Sequence, residues 1–429
     1  MKQGVSHFSE KQQWKLYSID YEEAKEIILS HFPHLASDDE IWAFIEKRDI
    51  QRRLVANSWK FFSQFEDNLL CRDLEFVSQE KSWAARFNEI VRFMLFECHE
   101  TAQGSADFNT GLYPYFDPRS FLAEFQIEVE RCRLPGKGYL RIWLPLPLLS
   151  PSHDDVDILK VSPLEVLAGY PRLDGNIGYA FFEFDLPSVI VNLEISIIFS
   201  FIQQFVIDSA TVGEYDTESA LFREYTASFG NIYFDENFTS LVKSIVGEET
   251  NPHLQAKKLY YYVVENVHYG FMAHSAIEAD GIPESLYAYE HHFGDCGMQS
   301  MFFAALRRSI GIPARTPSGF QLFSGQLGSH FWAEFFLPNY VWVPVDNSAG
   351  QLANYALNVT DDERKVFIDF FFGNQEALRM IVQNSVDREP KEDLLISNTL
   401  ALRCSCYLLI VKSRMKILLF LSLFWKDFQ

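Results

Sequence analysis

Three residues between positions 293 and 346 have the types and the order that acyl-transfer chemistry requires. Cys296 stands in Phe293-Gly294-Asp295-Cys296-Gly297, His330 opens His330-Phe331-Trp332-Ala333-Glu334, and Asp346 closes Trp342-Val343-Pro344-Val345-Asp346. A thiolate is a nucleophile, an imidazole can take and return a proton, and a carboxylate can hold that imidazole in one orientation. Each of the three falls at the edge of a different expected element.

The elements that would position them can be read from spacing. Met298, Met301, Phe302, Ala305, Leu306 and Ile310 repeat with helical period and give one buried face. Asp295 or Cys296 is the expected cap, and Gly311-Ile312-Pro313 is the stop. Cys296 is therefore expected at a helix N-terminus, where unpaired amides and the helix dipole favour an anion and lower a thiol pKa. Gly294 and Gly297 let another backbone approach closely. A cysteine taken alone is as readily a small core residue; the pattern around Cys296 argues against that.

Residues 330–337 alternate: His330, Trp332, Glu334 and Phe336 on one face, Phe331, Ala333, Phe335 and Leu337 on the other. Pro338-Asn339-Tyr340 is a turn signal, and Val341, Val343 and Val345 then alternate with Trp342, Pro344 and Asp346, which predicts a hairpin. A turn centred on Pro338 would set His330 directly opposite Asp346, with Cβ atoms about 4.5–5.5 Å apart. A slip of one residue would put them on opposite faces. Pro344 cannot donate to a ladder, so this strand is expected at an edge or bulged. Alone, His330 would be an ordinary histidine; the shared register with Asp346 gives it a role.

The runs Gly294-Asp295-Cys296-Gly297, Leu306 to Arg315 ending in Gly-Ile-Pro-Ala-Arg, Ser318-Gly319-Phe320, His330 to Phe335 and Trp342 to Asp346 resemble the transglutaminase-like superfamily, whose core is papain-like. Asn251-Pro252 with the helical run to Val267 and Tyr269 resembles the segment ahead of that family's cysteine. Phe371-Phe372-Gly373-Asn374 with Arg379 resembles the segment after its aspartate in bacterial and archaeal members. The resemblance covers about residues 215 to 385. It implies Cys296 as nucleophile, His330 as general base and acid, and Asp346 as orienter. It also implies acyl transfer from an amide or ester, with the oxyanion held by the Cys296 amide and one further donor, for which Tyr269 is a candidate. Peptide N-glycanases of this superfamily carry paired C-x-x-C zinc motifs and arylamine N-acetyltransferases an R-G-G-x-C run; the chain has neither.

The expected activity is hydrolysis of peptide or protein amides through a thioester. The alternatives are glutamine cross-linking by the same intermediate, and a scaffold that keeps the fold without turnover. No cofactor and no metal are expected. Adjacent His291 and His292 point apart on a strand or turn, and no second ligand pair has metal spacing. Glu265 and Glu334 are expected to be solvated or ion-paired.

The 429 residues, 48% hydrophobic and 22% charged, suggest two or three folded domains. A net charge of −21 argues against nucleic acid, which needs basic clusters. The six cysteines, Cys71, Cys98, Cys132, Cys296, Cys404 and Cys406, make no disulfide framework. Met1 to Ser18 lacks the apolar core of a signal peptide, so a cytoplasmic location with reduced thiols is expected.

The fold class expected is α+β: a papain-like, transglutaminase-like core over 213–385, an N-terminal helical region over 1–105, and a β-rich, β-sandwich-like module over 106–212. Ser37 with Glu40 marks a capping box. Trp83, Phe87, Ile90, Met94 and Cys98 make an apolar helical stripe. Tyr139 to Leu144 and Val191 to Phe199 read as strands. Residues 386–429 are expected to be an irregular tail, apolar and basic, that ends as if truncated or frame-shifted. Its apolar run Ile417 to Trp425 is too short to span a bilayer, leaving an interfacial membrane contact as its one membrane role.

Overall fold

Short-range signals at the ends of elements set most of the architecture. The structure is a computed structural model, and it describes residues 16–72, 87–96, 115–128, 139–185, 192–204, 212–323, 326–340, 342–387 and 415–420. In chain order, the first elements are β1 (Ile19–Asp20), α1 (Tyr21–His31), α2 (Asp38–Lys47), β2 (Arg52–Val55), β3 (Ser58–Phe61) and α3 (Phe65–Arg72), with a further helical stretch at 87–96. The strands β4 (Tyr115–Glu128), β5 (Tyr139–Pro145), β6 (Val156–Ser162), β7 (Tyr179–Asp185) and β8 (Asn192–Gln204) follow. Then come α4 (Ala220–Tyr225), α5 (Glu236–Val246), α6 (Pro252–Asn266), β9 (His268–Tyr269), α7 (His274–Ala279), α8 (Glu284–His291), β10 (Phe293–Gly294) and α9 (Cys296–Arg308). The last are β11 (Ala314–Arg315), β12 (Ser318–Phe323), β13 (Gln326–Phe331), β14 (Ala333–Phe336), β15 (Trp342–Val345), α10 (Asn347–Tyr355), α11 (Asp361–Phe370), β16 (Arg379–Gln383) and β17 (Met415–Phe420).

The chain divides into two compact units, each assembled from separated segments. One comprises Met1–Leu95, Glu214–Ala314 and Asp346–Phe372; the other comprises Phe96–Gly213, Arg315–Val345 and Gly373–Gln429.

In the first unit the N-terminal residues are not helical throughout. Strands β2 and β3 pair antiparallel through a two-residue turn at Ala56 and Asn57, both with positive φ, and β1 adds to β3. Such a turn matches the right-handed twist of the strands it joins. The capping box at the start of α2 is formed: Ser37 accepts from the Glu40 amide, and the Glu40 side chain returns to the Ser37 amide. Ile28, Ile41, Ile45, Phe61, Phe62 and Phe65 share one apolar core with Ala273 and Ala276 of the α7 region. Asn68 fastens the same junction, donating to Phe271 O at 2.9 Å and accepting from its amide at 2.6 Å. Residues 16–72 are thus built into the unit that carries Cys296 rather than standing apart. Of the expected stripe, Met94 is buried in the helical stretch and Phe87 stacks on Tyr355, whereas Trp83 and Cys98 lie outside the described residues.

In the second unit β4 and β8 are long antiparallel partners in a sheet ordered β17-β4-β8-β6, and β5 pairs with β7. A further sheet is ordered β13-β12-β16, and β14 pairs with β15. Residues 139–185 join that sheet at β16: Leu148 N donates to Ile381 O and Gly178 N to Val382 O, both at 2.7 Å. Within the tail, the described residues are Val386, Asp387 and β17, which is antiparallel to β4. Among the described residues no helix is long and apolar enough to cross a membrane.

Gly319 shows why Ser318-Gly319-Phe320 has its glycine. It sits in β12 opposite His330 of β13, and a Cβ added there would lie 1.8 Å from Met380 O of β16. Only a residue without a side chain lets the two strands approach this closely. Gly319→Ala is expected to cost about 1–3 kcal/mol of stability, the usual range for forced overpacking, and urea unfolding followed by tryptophan fluorescence measures it.

Candidate functional site

Cys296 is the first residue of α9, and Asp295 is its N-cap, accepting from the Met298 amide at 3.1 Å. The chain reaches that cap through β10, which runs parallel to β9 with Phe293 opposite His268 and Gly294 opposite Tyr269. Gly294 is forced by packing, since a Cβ there would meet Met298 Cβ at 2.6 Å. The helix ends at Arg308 with Ser309 as its C-cap, and the turn that follows uses Gly311, whose φ of +78° suits glycine. From Gly297 to Arg308 α9 is buried on every side, not on the one face its apolar spacing predicts. Cys296 itself is half-exposed. The result is a partly accessible thiol at the positive end of an otherwise enclosed helix, a position that favours the thiolate.

Asp346 is the N-cap of α10; its Oδ1 accepts from the Ala349 amide at 2.9 Å and from Ser348 Oγ at 3.2 Å. Its own amide donates to Phe371 O at 2.9 Å, so the Phe371-Phe372 segment fixes the backbone of the aspartate. The first unit joins the starts of α9 and α10. Gln299 Nε2 donates to Gln351 Oε1 at 2.9 Å and to Gly294 O at 3.1 Å, and Gln351 Nε2 donates to Val264 O at 3.0 Å. These buried amides tie together the two helix N-termini that carry Cys296 and Asp346. Three of these contacts run from buried amide nitrogens to protein oxygens, and breaking any of them would leave a buried donor short of a partner.

His330 belongs to the second unit, and the expected register around it is corrected. The hairpin turn is centred on Asn339, in left-handed conformation at φ 67°, rather than on Pro338; Ala333 faces Val345 and Glu334 faces Pro344. The expected strand is also two strands. Trp332 N turns to Pro317 O at 3.3 Å, and residues 326–331 pair instead with β12, placing His330 opposite Gly319. His330 and Asp346 are therefore not cross-strand partners. His330 is buried, and its ring lies 6.3 Å from that of Trp332 at a shallow angle.

Other members of the motifs have structural work. Arg315 donates to Glu334 Oε2 at 2.7 Å and lies 4.2 Å over the Trp342 ring, so Glu334 is ion-paired. Arg379 makes a two-pronged pair with Glu376 at 2.6 and 3.1 Å beneath the fully buried Trp332. Glu265 is exposed. His291 contacts Asp49 at 2.7 Å, and His292 ends α8 in left-handed conformation. Tyr269 lies across from Gly294, and its ring meets Phe271 edge-on.

Sequence reasoning missed the group behind Cys296. His274, the first residue of α7, contacts Glu284 Oε1 through Nδ1 at 2.8 Å and Asp295 Oδ2 through Nε2 at 2.6 Å. Burial by itself lowers the His274 pKa, but the Asp295 and Glu284 carboxylates outweigh it and hold it well above the usual histidine value. Burial likewise opposes the Asp295 charge, and His274 outweighs it, keeping that carboxyl below its usual range. The three residues are too far apart in sequence for any local pattern to join them.

Residues 239–347 match the family model described as transglutaminase-like superfamily. An uncharacterized protein of Haemophilus influenzae is 28% identical over 182 residues, covering 36% of this chain. The chain spans 48% of that relative's length, about half of it. A structure of a candidate cysteine protease from Cytophaga hutchinsonii aligns at 14% identity over 55% of this chain and 78% of its own, with a TM-score of 0.41. The periplasmic domain of TgpA from Pseudomonas aeruginosa aligns at 14% identity over 60% of this chain and 94% of its own, with a TM-score of 0.29.

A pH dependence follows from the raised His274 pKa. The stability it contributes is fully present below the unfolded value of about 6.5 and is lost as pH rises through the folded value. Urea unfolding from pH 6 to 10 is expected to show a loss on the alkaline side that shrinks in His274→Gln; equal profiles would contradict the ion-pair assignment.

Proposed function

We propose, on the premise of a transglutaminase-like domain at residues 239–347, that the protein is a cysteine hydrolase acting on peptide or protein amides. The observation that carries this is Cys296 at the start of the enclosed helix α9, tied through Gln299 and Gln351 to the helix capped by Asp346.

In this mechanism the Cys296 thiolate attacks the amide carbonyl carbon and forms a C–S bond. The negative charge moves to the carbonyl oxygen, which accepts from the Cys296 amide and from one further donor, Tyr269 being the candidate. His330, as imidazolium, gives its proton to the leaving nitrogen as the C–N bond breaks. The thioester remains. His330 then takes a proton from water, the resulting oxygen attacks the thioester, and the Cys296 thiolate leaves. Asp346 orients the imidazole and supports its charge. Water as the acceptor makes the enzyme a hydrolase; a primary amine in the same step would make it a cross-linking transferase.

Six scattered cysteines without a disulfide framework support placing the enzyme in the cytoplasm, where a nucleophilic thiol stays reduced. The strong negative charge favours peptide over nucleic-acid substrates.

Single-turnover reactions with a glutamine-containing peptide, with and without an added primary amine, test the proposal by mass spectrometry. Acylation confined to Cys296 and released by water is expected. Cys296→Ala should abolish it, and His330→Ala should slow it about 10²–10⁴-fold. Exclusive transfer to the amine would replace hydrolase with transferase, turnover unaffected in Cys296→Ala would overturn Cys296 as the nucleophile, and no acylation or release in the wild type would overturn the enzyme assignment.

A further inference from the structure

The three residues Glu284, His274 and Asp295 form a largely buried relay that ends one residue before the proposed nucleophile. Their side chains are 5%, 18% and 17% exposed. We propose that His274 is a positioning residue for Cys296: it cancels the charge of Asp295, so that Asp295 can cap α9 without suppressing the neighbouring thiolate. This inference rests on Cys296 being the nucleophile.

Asp295 has two opposed effects on Cys296. One oxygen accepts from the Met298 amide and fixes the first turn of α9, and with it the Cys296 amide. A bare carboxylate beside Cys296, however, disfavours a second negative charge. It also occupies part of the positive helix terminus that would stabilise the thiolate. An uncharged cap such as serine would avoid the conflict, yet the chain uses aspartate and supplies a cation for its other oxygen.

The geometry makes His274 suited to that task. Nε2 meets Asp295 at 2.6 Å and Nδ1 meets Glu284 at 2.8 Å, so both ring nitrogens face carboxylates. A neutral imidazole has one N–H and can satisfy only one of them. The doubly protonated ring satisfies both, and the carboxylates hold its pKa up against burial. Glu284 is the anchor that keeps His274 charged; it sits at the start of α8, and its amide is bound by Asn231 at 3.3 Å. Ala273 and Ala276, on either side of His274, pack in the apolar core with Phe61, Phe62 and Phe65. The nearby cation Arg53 is committed to Asp280 beyond the far end of α7. Cys296, His330 and Asp346, the residues of the proposed mechanism, are left intact in every variant below.

The test reads the pH midpoint of Cys296 alkylation by iodoacetamide, followed on the Cys296 peptide by mass spectrometry in the full-length chain. His274→Gln keeps a hydrogen-bonding side chain but removes the cation. It is expected to raise the midpoint by about one pH unit, a roughly tenfold slower reaction at pH values below both midpoints. The double variant His274→Gln with Asp295→Asn removes both charges and should restore the midpoint, because asparagine is an equally good cap. Asp295→Asn alone, which leaves His274 paired with Glu284, should lower it, and this variant carries the test if His274→Gln does not fold. A residue that only supports the fold would change the melting temperature and leave the midpoint where it is. An unmoved midpoint in the folded single variants, or a double variant as raised as His274→Gln, would overturn the proposal. The wild-type midpoint is a separate readout: an ordinary thiol value near 8.5 would count against Cys296 as nucleophile, while the differences between variants would still decide the role of His274.

Discussion

The turn from β10 into α9 is the constraint on which the site depends, and the Asp295 carboxylate holds it. One oxygen closes the helix start, and the other is gripped by His274. Gly294 lets the turn pack against Met298, and the β9–β10 pairing aims the chain into it. Cys296 is therefore presented by a buried helix rather than by a loop. That suits a nucleophile, because a helix start supplies both a fixed position and a favourable field.

A second layer of buried polar contacts extends this rigidity. Gln299 and Gln351 join the starts of α9 and α10 and bind backbone carbonyls at Gly294 and Val264. Asp346 is pinned from both sides, by its own cap and by Phe371 O. The N-terminal residues contribute to the same end. Their core includes Ala273 and Ala276, next to His274, and Asn68 holds Phe271 by its backbone. A segment that sequence analysis sets apart as a separate region thus helps to fix the residues behind Cys296.

The legible parts of the sequence were those governed by local chemistry. The Ser37–Glu40 box, the Asn251-Pro252 helix start, the cap and stop of α9 and the strands near 139 and 192 all depend on neighbours within a few positions. Two features of the hairpin differ from expectation, each for its own reason. The alternation from His330 to Leu337 looks unbroken, but the ladder breaks at Trp332 because residues 326–331 find a partner in β12. Alternation records which way side chains point, not which strand a backbone joins. The turn was misplaced by one residue because Pro338 and Asn339 are both turn formers, and only Asn339 takes the left-handed position. His274 was invisible because a largely buried ion relay links residues 10 and 21 positions apart and leaves no periodic trace.

The central claim is that Cys296 and His330 act as a thiolate–imidazolium pair. Its most direct test is the alkylation rate of every cysteine against pH, in wild type and in His330→Ala, with the other five cysteines as internal references. The account predicts that Cys296 alone reacts rapidly well below pH 8 and that His330→Ala removes that reactivity. If Cys296 titrates like the other cysteines, or keeps its low-pH reactivity without His330, the pair does not exist.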